Sequence, residues 1–239
     1  MDYVFRWDVV GQYGSWIVTG VEYTVVVAVV AMALAMVWGL FVALARMSRF
    51  WAIRSLASLY ISVFRAIPLL VFILWAYYGV TLVTGLNVDA VPAGILCLTL
   101  QYAGWLAEIY RSGIQAVDRG QTEAALATGM TRLQTFLKVV WPQAWRIIIP
   151  PTGNMFVGML KDSSLVSVIG VGELMRQTEV AVSLSFRPFE LYSVAALIYI
   201  GLTLAISRGV SALEAHYRRD VRSPRRWMPW RTAPVRNAA

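Results

Sequence analysis

The chain has 239 residues, of which 59% are hydrophobic and only 14% are charged, and its formal net charge is +8. Soluble domains average about 45–50% apolar and about 25% charged residues, so this composition excludes an ordinary soluble enzyme. The basic residues lie in a few connecting stretches, which argues against a nucleic-acid partner in spite of the net charge. The apolar residues form runs of the length that crosses a bilayer, about 20 residues per helix. We therefore expect an integral membrane protein.

Five apolar segments are predicted to cross the membrane as helices. Four of them are expected near residues 17–45, 56–80, 91–113 and 190–212. The first keeps its place in the mature protein, because its uncharged stretch is too long and its start is not basic enough for a secretory signal. The sequence thus predicts an all-α, polytopic membrane protein.

The fourth span, between residues 146 and 172, is predicted to be broken or kinked. This mostly apolar segment contains helix-disfavouring and charged residues, namely Pro150, Pro151, Gly153, Gly158, Lys161 and Asp162. Such breaks are tolerated at membrane depth only where protein or a wet cavity satisfies the freed backbone groups. We expect one break in the chain, and we expect it here.

The lysine and arginine residues predict the orientation, because positive loops are retained in the cytoplasm. With the N-terminus outside and five spans, sixteen basic residues fall inside and three outside. This predicts a periplasmic N-terminal tail (1–16), a transmembrane domain (17–217) and a basic, disordered cytoplasmic tail (218–239).

The first span carries four small residues at steps of four, which form one stripe along a helix and permit close approach of another backbone. These residues are Ala31, Ala35, Gly39 and Ala43. They predict a helix-packing face, although alanine is also simply common in membrane helices. The single cysteine, Cys97, lies in an apolar run, so no disulfide and no thiolate metal site is expected.

The cytoplasmic segment of about 118–143 is predicted to form two short helices hinged at Gly129. Asp118 and Gln121 have the spacing of an N-cap and N3 pair, and Thr131 with Gln134 begins the second helix in the same way. Leu133, Phe136, Leu137 and Val140 follow at helical spacing, and Pro142 is expected to end the pattern. A connection needs only a few residues, so this element is predicted to dock a partner. Lipid-surface binding is the alternative, but the segment has few basic residues.

This segment resembles the EAA loop of ATP-binding-cassette (ABC) importer permeases. The resemblance rests on Glu123-Ala124-Ala125, on Gly129 after three intervening residues, and on Val139, Trp141 and Pro142. Val139 and Trp141 depart from the isoleucine and leucine usual in the family. Further similarity in 64–69, 108–115, 119–121, 142–144 and 161–165 indicates the polar amino-acid branch, the histidine, glutamine and glutamate type. Residues 38–40 and 65–68 are most similar to permeases for acidic amino acids.

The resemblance implies a transport subunit of the bacterial cytoplasmic (inner) membrane that is not an enzyme and has no catalytic residues. It implies two copies of a separate ABC ATPase, which binds ATP and Mg²⁺, a second permease subunit (identical or homologous) and a periplasmic amino-acid-binding protein. The chain itself lacks a phosphate-binding loop and is expected to bind no cofactor and no metal. The residues that the resemblance assigns to ATPase coupling are Gly120, Gln121, Glu123, Ala124, Ala125, Gly129, Phe136 and Pro142.

Charged residues inside apolar spans are functional candidates, because their insertion costs about 2.5–3.5 kcal/mol each. A substrate path is therefore predicted to include Arg65, Glu108, Lys161, Asp162, Ser163 and Ser164. For Glu108, an ion pair with Arg111 is an equally good interpretation. Arg65 either meets a substrate carboxylate or braces Glu108. An amino-acid cargo, with glutamate or aspartate as the expected substrate, agrees with both.

Two other function classes compete with an ABC permease. A secondary transporter usually has repeated halves with paired broken helices, and a channel has a filter sequence; neither signature is visible in the chain. A membrane anchor for a cytoplasmic enzyme explains a docking segment but not the charges inside the membrane. Copurification with an ATPase distinguishes the three classes.

Overall fold

The computed structural model describes residues 4–85 and 87–218, and every regular element within these ranges is a helix. The all-α class predicted from the sequence is confirmed. Three helices are long and apolar enough to cross a membrane by themselves, and the number rises to five if two bent helix pairs each count as one span.

The elements follow one another along the chain with short connections. The straight spans are α2 (Gly14–Arg46), α6 (Ala90–Gln115) and α11 (Pro188–Arg218). The first bent span comprises α3 (Trp51–Ala66), α4 (Leu69–Leu74), a π-helix (Trp75–Gly79) and α5 (Val80–Thr84). The second comprises α9 (Trp141–Asp162), a 3₁₀ helix (Ser163–Ile169) and α10 (Leu174–Ser185). The remaining elements are α1 (Asp8–Gln12), α7 (Arg119–Ala127), α8 (Arg132–Thr135) and a second π-helix (Phe136–Val140).

The second span is bent by 106° between Ala66 and Leu69, although the sequence predicted a continuous helix over 56–80. Proline disfavours helical geometry in the residue before it, and Ile67 is extended with φ −78° and ψ 128°. The side-chain amide of Gln101, from α6, donates a hydrogen bond of 2.9 Å to the carbonyl of Ile67. The expectation of a single break is therefore wrong, because Pro68 makes a second one.

The break in the fourth span lies beyond the prolines that suggested it. Helix α9 continues through Pro150 and Pro151 to Asp162. The chain turns instead at Gly170, which has a φ of +91° and ends the 3₁₀ helix, and α10 then departs at 49°. A positive φ suits glycine because it has no Cβ. The prediction of a break in this segment is confirmed, but the break lies at Gly170 and not at the prolines.

Helices α2 and α6 form the centre of the bundle. Ala31, Ala35, Gly39 and Ala43, the small residues of α2, are all buried. A Cβ on Gly39 would lie 3.1 Å from the carbonyl oxygen of Ala103 and 3.0 Å from the Cβ of Leu106. The small residues thus bring the two helix backbones close together, which is the basis of helix association in lipid.

Some of the residues before the first span pack against α11. Val9 of α1 is buried, and the backbone N–H of Arg6 donates a hydrogen bond of 2.8 Å to the carboxylate of Glu190. The predicted N-terminal tail therefore contains a short helix. Residues 219–239 of the predicted C-terminal tail lie outside the described residues.

Candidate functional site

The segment from α7 to the second π-helix, residues 119–140, forms an elbow whose turn is built by local signals. Asp118 caps α7, with its carboxylate accepting a hydrogen bond from the N–H of Gly120. Thr131 and Gln134 form a complete capping box at α8. Between the two helices Gly129 has a φ of +85°, and nothing lies within 4 Å of the position its Cβ would occupy. The hinge predicted at Gly129 is therefore present, and its outer face is open.

All the residues assigned to ATPase coupling lie on this elbow except Pro142, which follows it in α9. Gly120, Gln121, Glu123, Ala124 and Gly129 are exposed, whereas Ala125 is buried. Glu123 makes no hydrogen bond or ion pair with the described residues, and the capping role falls to Asp118 instead. The carboxylate of Glu123 is consequently available to a basic group of another chain.

The elbow continues directly into the membrane through α9. Pro142 does not end the helical pattern, as the sequence predicted, because it lies in the first turn of α9, where a missing N–H is tolerated. Phe136, Trp141 and Trp145 form a series of neighbouring rings, with centroid distances of 6.0 Å and 5.6 Å. Of the predicted apolar stripe, Val140 is buried, whereas Leu133 and Leu137 are exposed. The elbow is therefore anchored by its C-terminal half.

A polar cavity of about 350 Å³ lies at the far end of α9, next to the bend of the second span. Its wall comes from α4, α6, α9 and the 3₁₀ helix, and consists of Leu69, Gln101, Tyr102, Trp105, Met155, Gly158, Asp162 and Leu165. This volume is within the range of about 300–1,000 Å³ that is usual for small-molecule sites. The cavity combines an apolar wall with a few polar groups.

Asp162 is the charged residue of this wall. The hydroxyl of Tyr102 donates a hydrogen bond of 2.7 Å to its Oδ2. Gln101, which supports the bend through its amide nitrogen, has a buried Oε1 with no hydrogen-bond partner among the described residues. Because a buried acceptor without a donor is costly, this oxygen is suited to a ligand N–H. The cavity wall thus contains two side chains with acceptor oxygens, one of them ionisable.

Arg65 does not line the cavity, but it contacts a residue that does. Its guanidinium carbon is 4.3 Å from the centroid of the Trp105 ring, and Trp105 lines the cavity. Arg65 forms no ion pair with Glu108 within the described residues; Glu108 pairs with Arg111 instead, at 2.7 Å. Arg65 and Glu108 therefore do not form a direct ion pair, whereas the ion pair of Glu108 with Arg111 near the C-terminal end of α6 is present.

The other predicted path residues lie outside the cavity wall. The hydroxyls of Ser163 and Ser164 donate to the carbonyls of Leu160 and Lys161, at 2.7 Å and 2.8 Å. Ser163 is buried and Lys161 is exposed. Of the polar group predicted at this break, only Asp162 lines the cavity, because the two serines satisfy their own helix.

Glu173 is a polar residue that the sequence analysis missed. It is fully buried, and its carboxylate accepts hydrogen bonds from the N–H groups of Met175 and Arg176, at 3.0 Å and 2.8 Å. The hydroxyl of Tyr199, from α11, donates to it at 2.7 Å. Glu173 thus caps α10 at the second bend. A glutamate three residues after Gly170, directly before a helix, was the available signal.

Thr24 completes this network from α2. Its hydroxyl lies 3.4 Å from Oε2 of Glu173 and accepts a hydrogen bond of 3.0 Å from the N–H of Leu174. The two bends are therefore stabilised in the same way, by polar side chains from straight helices. No cluster of His, Cys, Asp and Glu in the described part of the chain is arranged to hold a metal ion.

Comparisons with known proteins agree with this architecture. The family model of the binding-protein-dependent transport system inner membrane component matches residues 35–219. The chain is 37% identical to the probable glutamine ABC transporter permease protein GlnM of Bacillus subtilis, covering 82% of this chain and 90% of the relative. It is 31% identical to the glutamine transport system permease protein GlnP of Escherichia coli K12, covering 88% of this chain and 96% of the relative.

A solved structure gives the same result. The chain resembles one described as an amino acid ABC transporter with histidines, with a TM-score of 0.85 and 39% identity over 90% of this chain and 100% of the other. These relatives are transport components and not enzymes. The chain therefore belongs to the binding-protein-dependent transport system inner membrane components, and it is a permease of the amino-acid ABC importer type.

Proposed function

We propose that this permease forms the translocation path of an ATP-driven amino-acid importer and is moved by an ATPase bound to its elbow. In this proposal, two ATPase subunits bind beneath two permease subunits in the bacterial inner membrane, and a periplasmic amino-acid-binding protein delivers the substrate. The N-terminus is outside and the C-terminus is cytoplasmic, as the distribution of basic residues favours.

One observation carries the coupling part of the proposal. Helix α9 begins at Trp141, next to the elbow, and runs without interruption to Asp162 in the cavity wall. At a rise of about 1.5 Å per residue, it links the two places over roughly 33 Å. A helix transmits displacement as a rigid element, and bistable packing converts a small shift into a switch of access. Movement of the elbow therefore reaches the cavity directly.

Charge reversal on the elbow tests the coupling. We expect Glu123→Lys to insert normally but to lose substrate-stimulated ATP hydrolysis by the complex in vesicles, because the ammonium group of the new lysine repels the basic partner that the carboxylate attracts. Asp89→Lys is the matched control, since Asp89 is also exposed but lies at the other end of α6. Unchanged stimulation in Glu123→Lys would contradict the docking assignment.

The cavity supports an amino-acid substrate. An ammonium group is suited to the carboxylate of Asp162 and to Oε1 of Gln101, and the Arg65 guanidinium beside Trp105 is suited to a carboxylate. We propose glutamate and aspartate as the substrates, on the resemblance of residues 38–40 and 65–68 to acidic amino-acid permeases and on this nearby cation. Glu108, Lys161, Ser163 and Ser164 are proposed only to flank this path.

Competition experiments decide the substrate. Uptake of radiolabelled glutamate into vesicles holding the whole complex is predicted to be competed by aspartate and not by arginine or glutamine. Competition by glutamine alone would instead extend to this chain the substrate that names two of its relatives, and it would overturn the acidic assignment while leaving the importer assignment intact.

A further inference from the structure

A second, larger cavity lies between α2, α9 and α11, apart from the proposed path. It has a volume of about 490 Å³, and its wall consists of Val29, Met32, Ala33, Met36, Trp145, Ile149, Thr152, Gly153, Phe156, Val210 and Leu213. Apart from the Thr152 hydroxyl, the side chains of this wall are almost entirely apolar. Empty apolar space of this size costs packing energy in a protein interior, so an occupant is expected.

The two cavities lie on different faces of α9. Residues 145, 149, 152, 153 and 156 line the apolar cavity, whereas 155, 158 and 162 line the polar one. At 100° per residue, the centres of these two faces are roughly 130° apart about the helix axis. The apolar cavity thus faces away from the substrate path, and Val29 and Leu213 at its rim are 48% and 47% exposed. In a membrane, an exposed apolar rim of this kind faces lipid.

Thr152 gives the cavity one unsatisfied polar group. Its side chain is only 8% exposed, and its hydroxyl has no hydrogen-bond partner among the described residues. Threonines in helices usually donate to the carbonyl four residues earlier, and Thr19, Thr24 and Thr178 do so here at 2.7–3.0 Å. The hydroxyl of Thr152 therefore has an unused donor, and rotation about the Cα–Cβ bond can direct it toward an acceptor in the cavity.

The depth of Thr152 identifies the kind of acceptor. Its neighbour Gly153 packs directly against Val210 of α11. Val210 lies two residues after Arg208 and four residues before Glu214 in the sequence, so charged residues flank it within about 3–6 Å along the helix. Thr152 thus lies near the boundary between hydrocarbon and headgroups on the side of the elbow. Ester carbonyls of phospholipids lie at this boundary.

We propose that this cavity is a binding site for a membrane phospholipid of the leaflet on the elbow side. One acyl chain fills the space between α2, α9 and α11, and the ester carbonyl of that chain accepts a hydrogen bond from Thr152. The site does not depend on the identity of the transported amino acid. It places a lipid against the helix that connects the elbow to the polar cavity.

Photolabelling tests the site in the assembled complex. The probe is phosphatidylglycerol with a diazirine in one acyl chain, incorporated in vesicles, with cross-linked peptides identified by mass spectrometry. We expect Ala33→Phe to reduce labelling of the cavity-lining part of α9 at least fivefold, because the ring occupies the cavity. Ala205→Phe, an exposed position on α11 outside the cavity wall, is the matched control and is expected to label like the wild type.

A second variant tests the hydrogen bond. Thr152→Val keeps the shape and removes the hydroxyl, and the loss of one hydrogen bond corresponds to about a 2- to 10-fold weaker affinity, measured by dilution of the probe with unlabelled lipid. Equal labelling of wild type and Ala33→Phe, or no labelling of these peptides in the wild type, would overturn the lipid site. An unchanged affinity in Thr152→Val would overturn the assignment of the ester carbonyl.

Discussion

The hydroxyl of Tyr102 donates a hydrogen bond of 2.7 Å to Oδ2 of Asp162, and this bond joins α6 to the end of α9 in the wall of the polar cavity. Gly158 makes the contact possible, since a Cβ at that position would lie 3.1 Å from the Tyr102 hydroxyl. A substrate ammonium group that binds Asp162 shares the carboxylate with Tyr102, whose hydrogen bond holds the carboxylate in place. Substrate binding is thereby connected to the packing of α6 against α9.

Removal of the hydroxyl tests this connection. We expect Tyr102→Phe to raise the KM for uptake by about 10- to 100-fold, because a hydrogen bond to a charged group contributes about 1.5–3 kcal/mol, while basal ATP hydrolysis is retained. Asp162→Asn is expected to abolish uptake, because it removes the proposed counter-charge. Uptake kinetics in vesicles measure both effects, and wild-type kinetics in both variants would exclude a role for this pair.

Glu173 is predicted to stabilise the second bend. Its replacement in Glu173→Ala leaves the N–H groups of Met175 and Arg176 and the hydroxyl of Tyr199 without their acceptor, and an unsatisfied buried donor costs about 1–3 kcal/mol. The midpoint of thermal unfolding in detergent is expected to fall clearly, and less in Glu173→Gln. Glu22→Gln, at an exposed position of α2, is the control. An unchanged midpoint in Glu173→Ala would show that the network does not stabilise the fold.

Close helix packing at Gly39 is predicted to be essential for assembly of the bundle. Gly39→Val places side-chain atoms where even a Cβ is already 3.0 Å from Leu106, so α2 and α6 must separate. We expect a large loss of folded protein, measured as the monodisperse fraction after extraction. Gly201→Val, where nothing lies within 4 Å of the Cβ position, is expected to behave like the wild type. Similar yields of the two variants would contradict the packing argument.

Coupling through the elbow is predicted to depend on the positive φ of Gly129 more than on the absence of a side chain at this position. At a φ of +85°, asparagine is tolerated better than β-branched residues. Substrate-stimulated ATP hydrolysis is therefore expected to persist in Gly129→Asn and to be lost in Gly129→Val. Loss in both variants would indicate that the partner surface excludes any side chain at this position.

The sequence predicted those features that depend on local patterns. The apolar runs predicted the helices, and the capping residues and Gly129 predicted the elbow, because these signals act within a few residues. The positions of the bends were predicted less well. Pro150 and Pro151 are accommodated inside α9, whereas Pro68 bends the second span, and the sequence gives no measure of which freed carbonyls will find a donor such as Gln101.

The residues that line the polar cavity could not be predicted either, because the sequence does not show which helices pack against one another. Tyr102, Gln101 and Trp105 look like ordinary residues of an apolar helix until α4 and α9 are packed against them. Charge alone pointed to Asp162 and also to Lys161 and Glu108, which lie outside the cavity wall. Glu173 was missed because its partners Thr24 and Tyr199 are 149 and 26 residues away in the chain.

The position of the elbow relative to the membrane tests the central claim most directly. A cysteine at the exposed position 127 of α7, in a chain with Cys97→Ala, is treated with a membrane-impermeant maleimide in intact cells and in inside-out vesicles. We expect labelling only in inside-out vesicles, and protection of the cysteine when the ATPase is bound. Labelling in intact cells would place the elbow outside, where no ATPase can reach it, and would contradict the account.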